Sequence, residues 1–139
     1  QITEAVLQDG YAIVQEFVDG GEDGDARIFL LEGQILERHG KPAAFRRVPT
    51  GNDPRANIST GGRSVPLKIG DEQRGIIEAM SKKLVADGMY FVGIDVIGDK
   101  VVEINADSPG GVQSVEWLYE IDVCPTVIEA LERRTGSKS

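Results

Sequence analysis

One cysteine, Cys124, in 139 residues excludes an intrachain disulfide framework and a cysteine-rich zinc site, and it suits a reducing, cytoplasmic compartment. A single histidine, His39, sits beside a turn glycine and reads as a surface residue; no Ser–His–Asp signature accompanies it. Apolar runs such as Phe29-Leu30-Leu31 and Val101-Val102 are far too short to span a bilayer, so no membrane partner is expected. No basic stretch followed by an apolar one opens the chain, and nothing marks it for secretion. Basic charge is scarce: 15 Lys and Arg against 23 Asp and Glu give a net charge of −8, which argues against nucleic acid as a partner. Internal repeats, low-complexity tracts and a linker between two domains are missing too. What is present, 40% apolar and 27% charged residues, belongs to one ordinary globular domain with a real core. Because the chain opens on Gln1, it is expected to be part of a longer product.

The scarce positive charge is gathered. Arg38, Lys41, Arg46, Arg47, Arg55, Arg63 and Lys68 lie in one segment with a single acid, Asp53. Such a segment either holds an anion or forms a solvated face. Residues 11–18 (YAIVQEFV) are β-branched and aromatic and predict a strand, which ends in an acidic glycine-rich loop. Strands are expected over 26–31 and 34–38 around a tight Glu32-Gly33 turn, and over 43–48 up to Pro49. Residues 50–64 carry no hydrophobic period, and a loop of that length inside a compact domain is usually functional or disordered. The clearest helix is expected over 71–86, capped by Asp71 and closed by Gly88 in a left-handed conformation. A hairpin over 90–97 and 101–105 follows, then helices around 112–120 and 125–134, the latter with Pro125 in its first turn. This order predicts an α+β domain with a largely antiparallel sheet and helices packed on one face.

The segment FVGIDVIGDKVVEINAD, residues 91–107, carries the most chemistry. A two-residue Gly98-Asp99 turn would set Asp95 opposite Val102 and Ile94 opposite Glu103, mixing polar and apolar residues on each face. A three-residue loop, Gly98-Asp99-Lys100, sets Asp95 opposite Glu103, Gly93 opposite Asn105, Ile94 opposite Ile104 and Val96 opposite Val102. That register gathers Ile94, Val96, Val102 and Ile104 on one face and Asp95, Glu103 and Asn105 on the other, so it is the one expected. Opposed side chains stand about 4.5–5.5 Å apart at Cβ, and two carboxylates there call for positive charge between them. A hard divalent cation answers the need with oxygen ligands alone. Two solvated acids bridged by lysines, or a glycosidase-type carboxylate pair, remain as alternatives.

Several stretches in register resemble one family. Arg47-Val-Pro-Thr-Gly-Asn-Asp-Pro-Arg55-Ala-Asn57-Ile-Ser-Thr-Gly61-Gly62-Arg63 is similar to the "R-x-P-x-G-x-x-x-R-x-N-x-x-x-G-G" stretch of bacterial glutathione synthetases. Residues 91–105 resemble their "F-V-G-x-D-x-I-G-x-x-x-x-E-I-N", with Ser108-Pro109 following in place. Residues 14–18 look like the strand that links the two ATP-grasp lobes, and Asp25-Ala26-Arg27 like the "D-x-R" after it.

The resemblance implies an ATP-grasp C-terminal lobe over 1–139, with the N-terminal domain and first lobe absent. It implies an ATP-dependent carboxylate–amine ligase joining γ-glutamylcysteine and glycine through an acyl-phosphate, with little activity expected of the fragment alone. Asp95, Glu103 and Asn105 would hold Mg2+, or Mn2+ in its place. Gln15, Glu16, Phe17, Val18 and Asp25 would bind ATP, and Arg27 and Arg47 would be catalytic, neutralising the γ-phosphate and the acyl-phosphate. Arg55, Asn57, Gly61, Gly62 and Ser108 would meet the small peptide and amino-acid substrates. The chain departs from the pattern at Gly110-Gly111-Val112, where the synthetases carry larger residues. Another ATP-grasp amino-acid or peptide ligase, or a non-catalytic nucleotide-binding regulatory domain, are the alternative readings. Cys124 reads as a small buried hydrophobe. Trp117 and Tyr119 read as core or as a contact with missing parts of the enzyme or with a second copy in a homo-oligomer.

Overall fold

The computed structural model describes residues 10–11, 14–49 and 63–136. Its frame is a six-stranded antiparallel sheet. The strands are β1 (Asp25–Leu31), β2 (Gln34–Ile35), β5 (Ala44–Val48), β6 (Arg63–Pro66), β7 (Phe91–Ile97) and β8 (Lys100–Asn105), in the order β6-β5-β1-β7-β8 with β2 paired to β1. A separate two-stranded ribbon joins β3 (Glu37–Arg38) to β4 (Lys41–Pro42). Both short hairpins turn on paired positive φ angles, 53° and 74° at Glu32-Gly33 and 52° and 71° at His39-Gly40. That pairing marks the type I′ turn, whose twist matches that of the strands it joins. The expected strand 34–38 is split at Leu36. Its N–H donates to the Phe29 carbonyl and its carbonyl accepts from Ala43, which folds the ribbon back onto β1.

The helices are α1 (Asp71–Ala86), α2 (Val112–Tyr119) and α3 (Cys124–Thr135). The first has the expected bounds, but Gly70 and not Asp71 is its N-cap. Gln73 Oε1 accepts from the Gly70 N–H at 3.0 Å, half of a capping box. At the other end Gly88 takes φ 78°. Met89 N donates to Leu84 O at 2.9 Å and Gly88 N to Val85 O at 3.1 Å, the bond pair of a Schellman cap. No helix among the described residues is long and apolar enough to cross a membrane.

The antiparallel α+β lobe is as expected, but its helices are not confined to one face. Alternate residues of the central strands point to opposite sides. Ala26, Ile28 and Leu30 of β1, with Val92, Ile94 and Val96 of β7, pack with Ile77 and Leu84 of α1. Phe29, Ala43 and Phe45 pack with Val115 of α2 and with Ile121 and Val123 ahead of α3. Phe29 anchors this second layer, stacked on Phe91 with centroids 5.9 Å apart. A sheet covered on both sides explains why β1 is buried along nearly its whole length.

Two further expectations are corrected. Residues 14–18 form no strand; Val14 is 92% and Phe17 80% exposed, and Gln15 Nε2 donates to the Val102 carbonyl of the sheet at 3.4 Å. A strand needs a ladder partner, and β-propensity alone does not supply one. Cys124 is exposed, because it opens α3 on the outer side while Val123 fills the core position.

Candidate functional site

Strand order brings the charged residues together. Asp25 of β1 pairs with Arg47 of β5, Arg27 of β1 with Asp95 of β7, and Asp95 in turn with Glu103 of β8. These side chains share the face that carries Phe29 and Phe45, so one sheet face is apolar at one end and ionic at the other. The expected cross-strand register holds at Asp95–Glu103, Gly93–Asn105 and Ile94–Ile104.

It is reached by a different route. The turn is the two-residue Gly98-Asp99, with Ile97 paired to Lys100 and Val96 to Val101, and Val102 is the extra residue of a bulge. A tight turn suits strand twist, and the bulge restores the carboxylate register beyond it. In consequence Val101, not Val102, packs against the α1-side core, and Ile104 on the edge strand is 42% exposed.

Arg27 is held on every side. Its Nε donates to Asp95 Oδ1, its Nη2 to Asp95 Oδ2 at 2.8 Å, and its Nη1 to the Gly110 carbonyl at 2.8 Å. Gly93 makes room for it, since a Cβ there would stand 3.2 Å from both Arg27 Cδ and Pro109 Cβ. Arg47 reaches two carboxylates. Its Nε donates to both oxygens of Asp25 at 3.0 Å, and its Nη2 contacts Asp25 Oδ2 and lies 2.7 Å from Asp95 Oδ2. Gly24, with φ 86°, lets β1 begin directly against β5; a Cβ would fall 1.8 Å from the Arg47 carbonyl oxygen. With its amide oriented to satisfy both neighbours, Asn105 donates to Glu103 Oε1 at 2.9 Å and accepts from Arg27 Nη2 at 3.2 Å.

The electrostatics follow. Burial would raise the pKa of Asp95, which is 1% exposed, but hydrogen bonds and charge from Arg27 and Arg47 outweigh it and hold the carboxyl below its ordinary range. Glu103 goes the other way: desolvation, then its hydrogen bond to Asp95 and the Asp95 charge, push it up against the pull of both arginines. Burial works against the Arg47 cation, yet Asp25 and Asp95 raise its pKa further still. Asp25, Asp95 and Glu103 carry three negative charges against two guanidiniums, so the cluster keeps one negative charge. Asp95, Glu103 and Asn105 offer oxygen donors alone, and one of the facing carboxylates already binds its proton more tightly. That is a donor set a hard divalent cation fits.

Beside this row, residues 15–18 face Ile97, Val101 and Val102 across an open cleft of about 550 Å3. An adjoining opening of about 640 Å3 is lined by Gln15, Glu103 and Ile104 among others. The structure therefore brings Asp25, Arg27, Arg47, Asp95, Glu103 and Asn105 into one cluster and sets Gln15 by Glu103, while Glu16, Phe17 and Val18 line the first cleft with Ile97, Val101 and Val102. Ser108 is exposed in the loop after β8. Arg55, Asn57, Gly61 and Gly62 lie outside the described residues. Sequence reasoning missed the contributions of Gly24, Gly93 and Gly110. Its signal was available only for Gly93, opposite Asn105 in the expected register.

Comparisons with known proteins show the family to which the chain is similar. The family model "Prokaryotic glutathione synthetase, ATP-grasp domain" matches residues 1–120. Glutathione synthetase of Synechococcus elongatus is 39% identical over 120 residues, 86% of this chain and 35% of that protein. That of Vibrio cholerae is 35% identical over 124 residues, 89% of this chain and 37% of its own. That of Shewanella oneidensis is 34% identical over 137 residues, 97% and 42%. The chain thus spans 35–42% of the length of these relatives. A solved structure of the ATP-grasp ligase PsnB complexed with minimal precursor has a TM-score of 0.53 at 24% identity, covering 84% of this chain and 36% of that one. It shares the fold.

Proposed function

The chain belongs to the ATP-grasp domain family of prokaryotic glutathione synthetases, and from that premise we propose that it is the C-terminal portion of a cytoplasmic, ATP-dependent carboxylate–amine ligase. Residues 1–139 form one domain of it, and an N-terminal domain and first ATP-grasp lobe complete the enzyme. The acid is γ-glutamylcysteine and the amine glycine. The observation that carries the reading is the row Arg47–Asp25, Arg27–Asp95–Glu103, whose last member, Glu103, shares an opening with Gln15.

A carboxylate resists attack by an amine because its leaving group would be an oxide. The substrate carboxylate oxygen attacks the γ-phosphorus of ATP, the bond to the bridging oxygen breaks, and ADP leaves. The amine nitrogen then attacks the acyl carbon, inorganic phosphate departs with the bonding pair, and the nitrogen loses its proton. Every species along this path is anionic, so the reaction calls for fixed positive charge and not for a nucleophilic side chain. Asp95, Glu103 and Asn105 would hold Mg2+, or Mn2+, which supplies charge for binding the polyphosphate. Arg27 and Arg47 neutralise the transferred phosphoryl group. The backbone of Glu16, Phe17 and Val18 offers hydrogen-bonding groups to an adenine edge, with Val102 as apolar floor and Gln15 and Asp25 nearby. Arg55, Asn57, Gly61, Gly62 and Ser108 meet the peptide.

A second reading is a different amino-acid or peptide ligase of this fold. One feature favours it: Gly110 presents no side chain and a Cβ there would meet open space, while Gly111 must remain glycine because a Cβ would stand 2.8 Å from Phe45 Cζ. The loop end therefore leaves room beyond a small amine. The test is ADP release by the complete ligase with Mg2+-ATP and a panel of acids and amines. Release that needs both γ-glutamylcysteine and glycine supports the first reading. Release with other pairs alone supports the second. No release with any pair leaves a non-catalytic nucleotide-binding domain. Hydroxylamine in place of the amine should trap the acyl-phosphate as a hydroxamate.

A further inference from the structure

We infer that the two arginines divide their work: Arg27 is a fixed positioning residue for Asp95, and Arg47 is the exchangeable one, releasing Asp95 when an anion enters the site. The inference rests on the proposed anion-and-cation reading of the cluster and assigns a separate role to each guanidinium.

Arg27 has nowhere to go. Its side chain is 7% exposed, its three nitrogens serve both Asp95 oxygens and the Gly110 carbonyl, and its Cδ lies in the space Gly93 leaves free. Withdrawing it would strand a buried carboxylate and a main-chain carbonyl together, and a buried group without its partner is expensive. Arg47 is more exposed, at 14%, and its tie to Asp95 is the single contact of Nη2 with Oδ2. Its Nε stays with Asp25 when that contact opens. Leaving therefore costs Arg47 one partner of two, and Asp95 keeps its bidentate bond to Arg27.

Charge sets the direction. The cluster holds one net negative charge; a divalent cation at Asp95 and Glu103 would reverse it and stand beside the Arg47 guanidinium. Two like charges at that range repel strongly in a partly buried site. An anion that draws Arg47 outward removes the repulsion and exposes Asp95 Oδ2 to the cation. Anion and cation therefore bind with positive coupling, and each raises the other's affinity by the same factor.

The test is Mn2+ binding to the chain, read from the paramagnetic resonance of the free ion. In the absence of any anion, Arg47→Gln should bind Mn2+ roughly ten-fold more tightly than the unsubstituted chain, as one nearby positive charge is removed. Arg27→Gln should bind it no more tightly. Sulfate, compared with perchlorate at equal ionic strength, should tighten Mn2+ on the unsubstituted chain and leave Arg47→Gln unchanged. The sulfate comparison needs no substitution, so it decides the matter if Arg47→Gln does not fold. Equal tightening by both arginine variants, or no effect of sulfate on the unsubstituted chain, overturns the division of labour. Asp95→Asn separates the two levels of the argument: if it binds Mn2+ undiminished, the cation reading itself fails.

Discussion

Ile28, Ile94 and Val96 on one side of the sheet, and Arg27, Asp95 and Glu103 on the other, are neighbours along the same strands, yet they are stabilised by different physics. The α1 side is apolar from end to end, and its residues are exchangeable to the extent that their volumes are. The α2 side is apolar only as far as Phe29 and Phe45; beyond them the strands carry paired charges that lie outside the apolar cluster formed by the described residues. The apolar side holds the lobe together without specifying a ligand. The divided side gives up apolar packing at one end and buries paired charge there instead, at Asp25, Arg27 and Asp95.

Substitutions at the two ends should separate these contributions. The largest effect is expected for Arg27→Ala, which leaves Asp95 buried with half its neutralisation gone; breaking such a pair costs about 3–5 kcal/mol by denaturant unfolding. Replacing both partners, Arg27→Met with Asp95→Leu, should recover most of that loss while abolishing cation binding, because a desolvated pair is no more stable than a well-packed apolar one. On the opposite face Ile94→Ala, at a fully buried position, should cost about 3 kcal/mol by cavity formation and leave cation binding intact. Gly93→Ala is expected to cost about 1–2 kcal/mol, since Arg27 and Pro109 must each give way by a few tenths of an ångström. It should weaken Mn2+ binding as well, because the side chain that moves is the one that positions Asp95.

The pH dependence is the subtlest distinction. The folded-state pKa of Asp95 is held below its ordinary value of 3.8. Its contribution is therefore fully present above that value and is lost as pH falls through the lowered pKa. Glu103, raised from 4.5, works in the opposite sense and costs stability once pH exceeds its unfolded value. Acid unfolding of the unsubstituted chain should thus steepen below the ordinary carboxylate range, and Asp95→Asn should remove that step. An unchanged acid limb in Asp95→Asn would mean that Asp95 is not held by the arginines in solution.

Much of this was legible in the sequence because it is local. The 3.6-residue spacing of α1, its Gly88 stop and the Glu32-Gly33 turn depend on neighbours along the chain. The Asp95–Glu103 pairing was legible because both strands belong to one hairpin. The Val102 bulge was not, since it arises from competition between a preferred turn and a preferred register. Nor was the arginine network. Arg27 meets Asp95, and Arg47 meets Asp25, only because β1 lies between β5 and β7, and no local pattern fixes strand order. Residues 14–18 had strand chemistry without a ladder partner among the described residues, and the helices were set on the wrong number of faces because the alternation of β1, apolar on both sides at Ile28-Phe29-Leu30, was not read as two covered surfaces.

The measurement closest to the central claim is Mg2+-dependent ADP release by the complete ligase, compared with the Asp95→Asn/Glu103→Gln double variant under the same acid and amine. Loss of release by a hundred-fold or more (of the order expected when charge stabilisation at a phosphoryl group is removed), with the folded state retained, is the result the account requires. A double variant that releases ADP at the unsubstituted rate would contradict it.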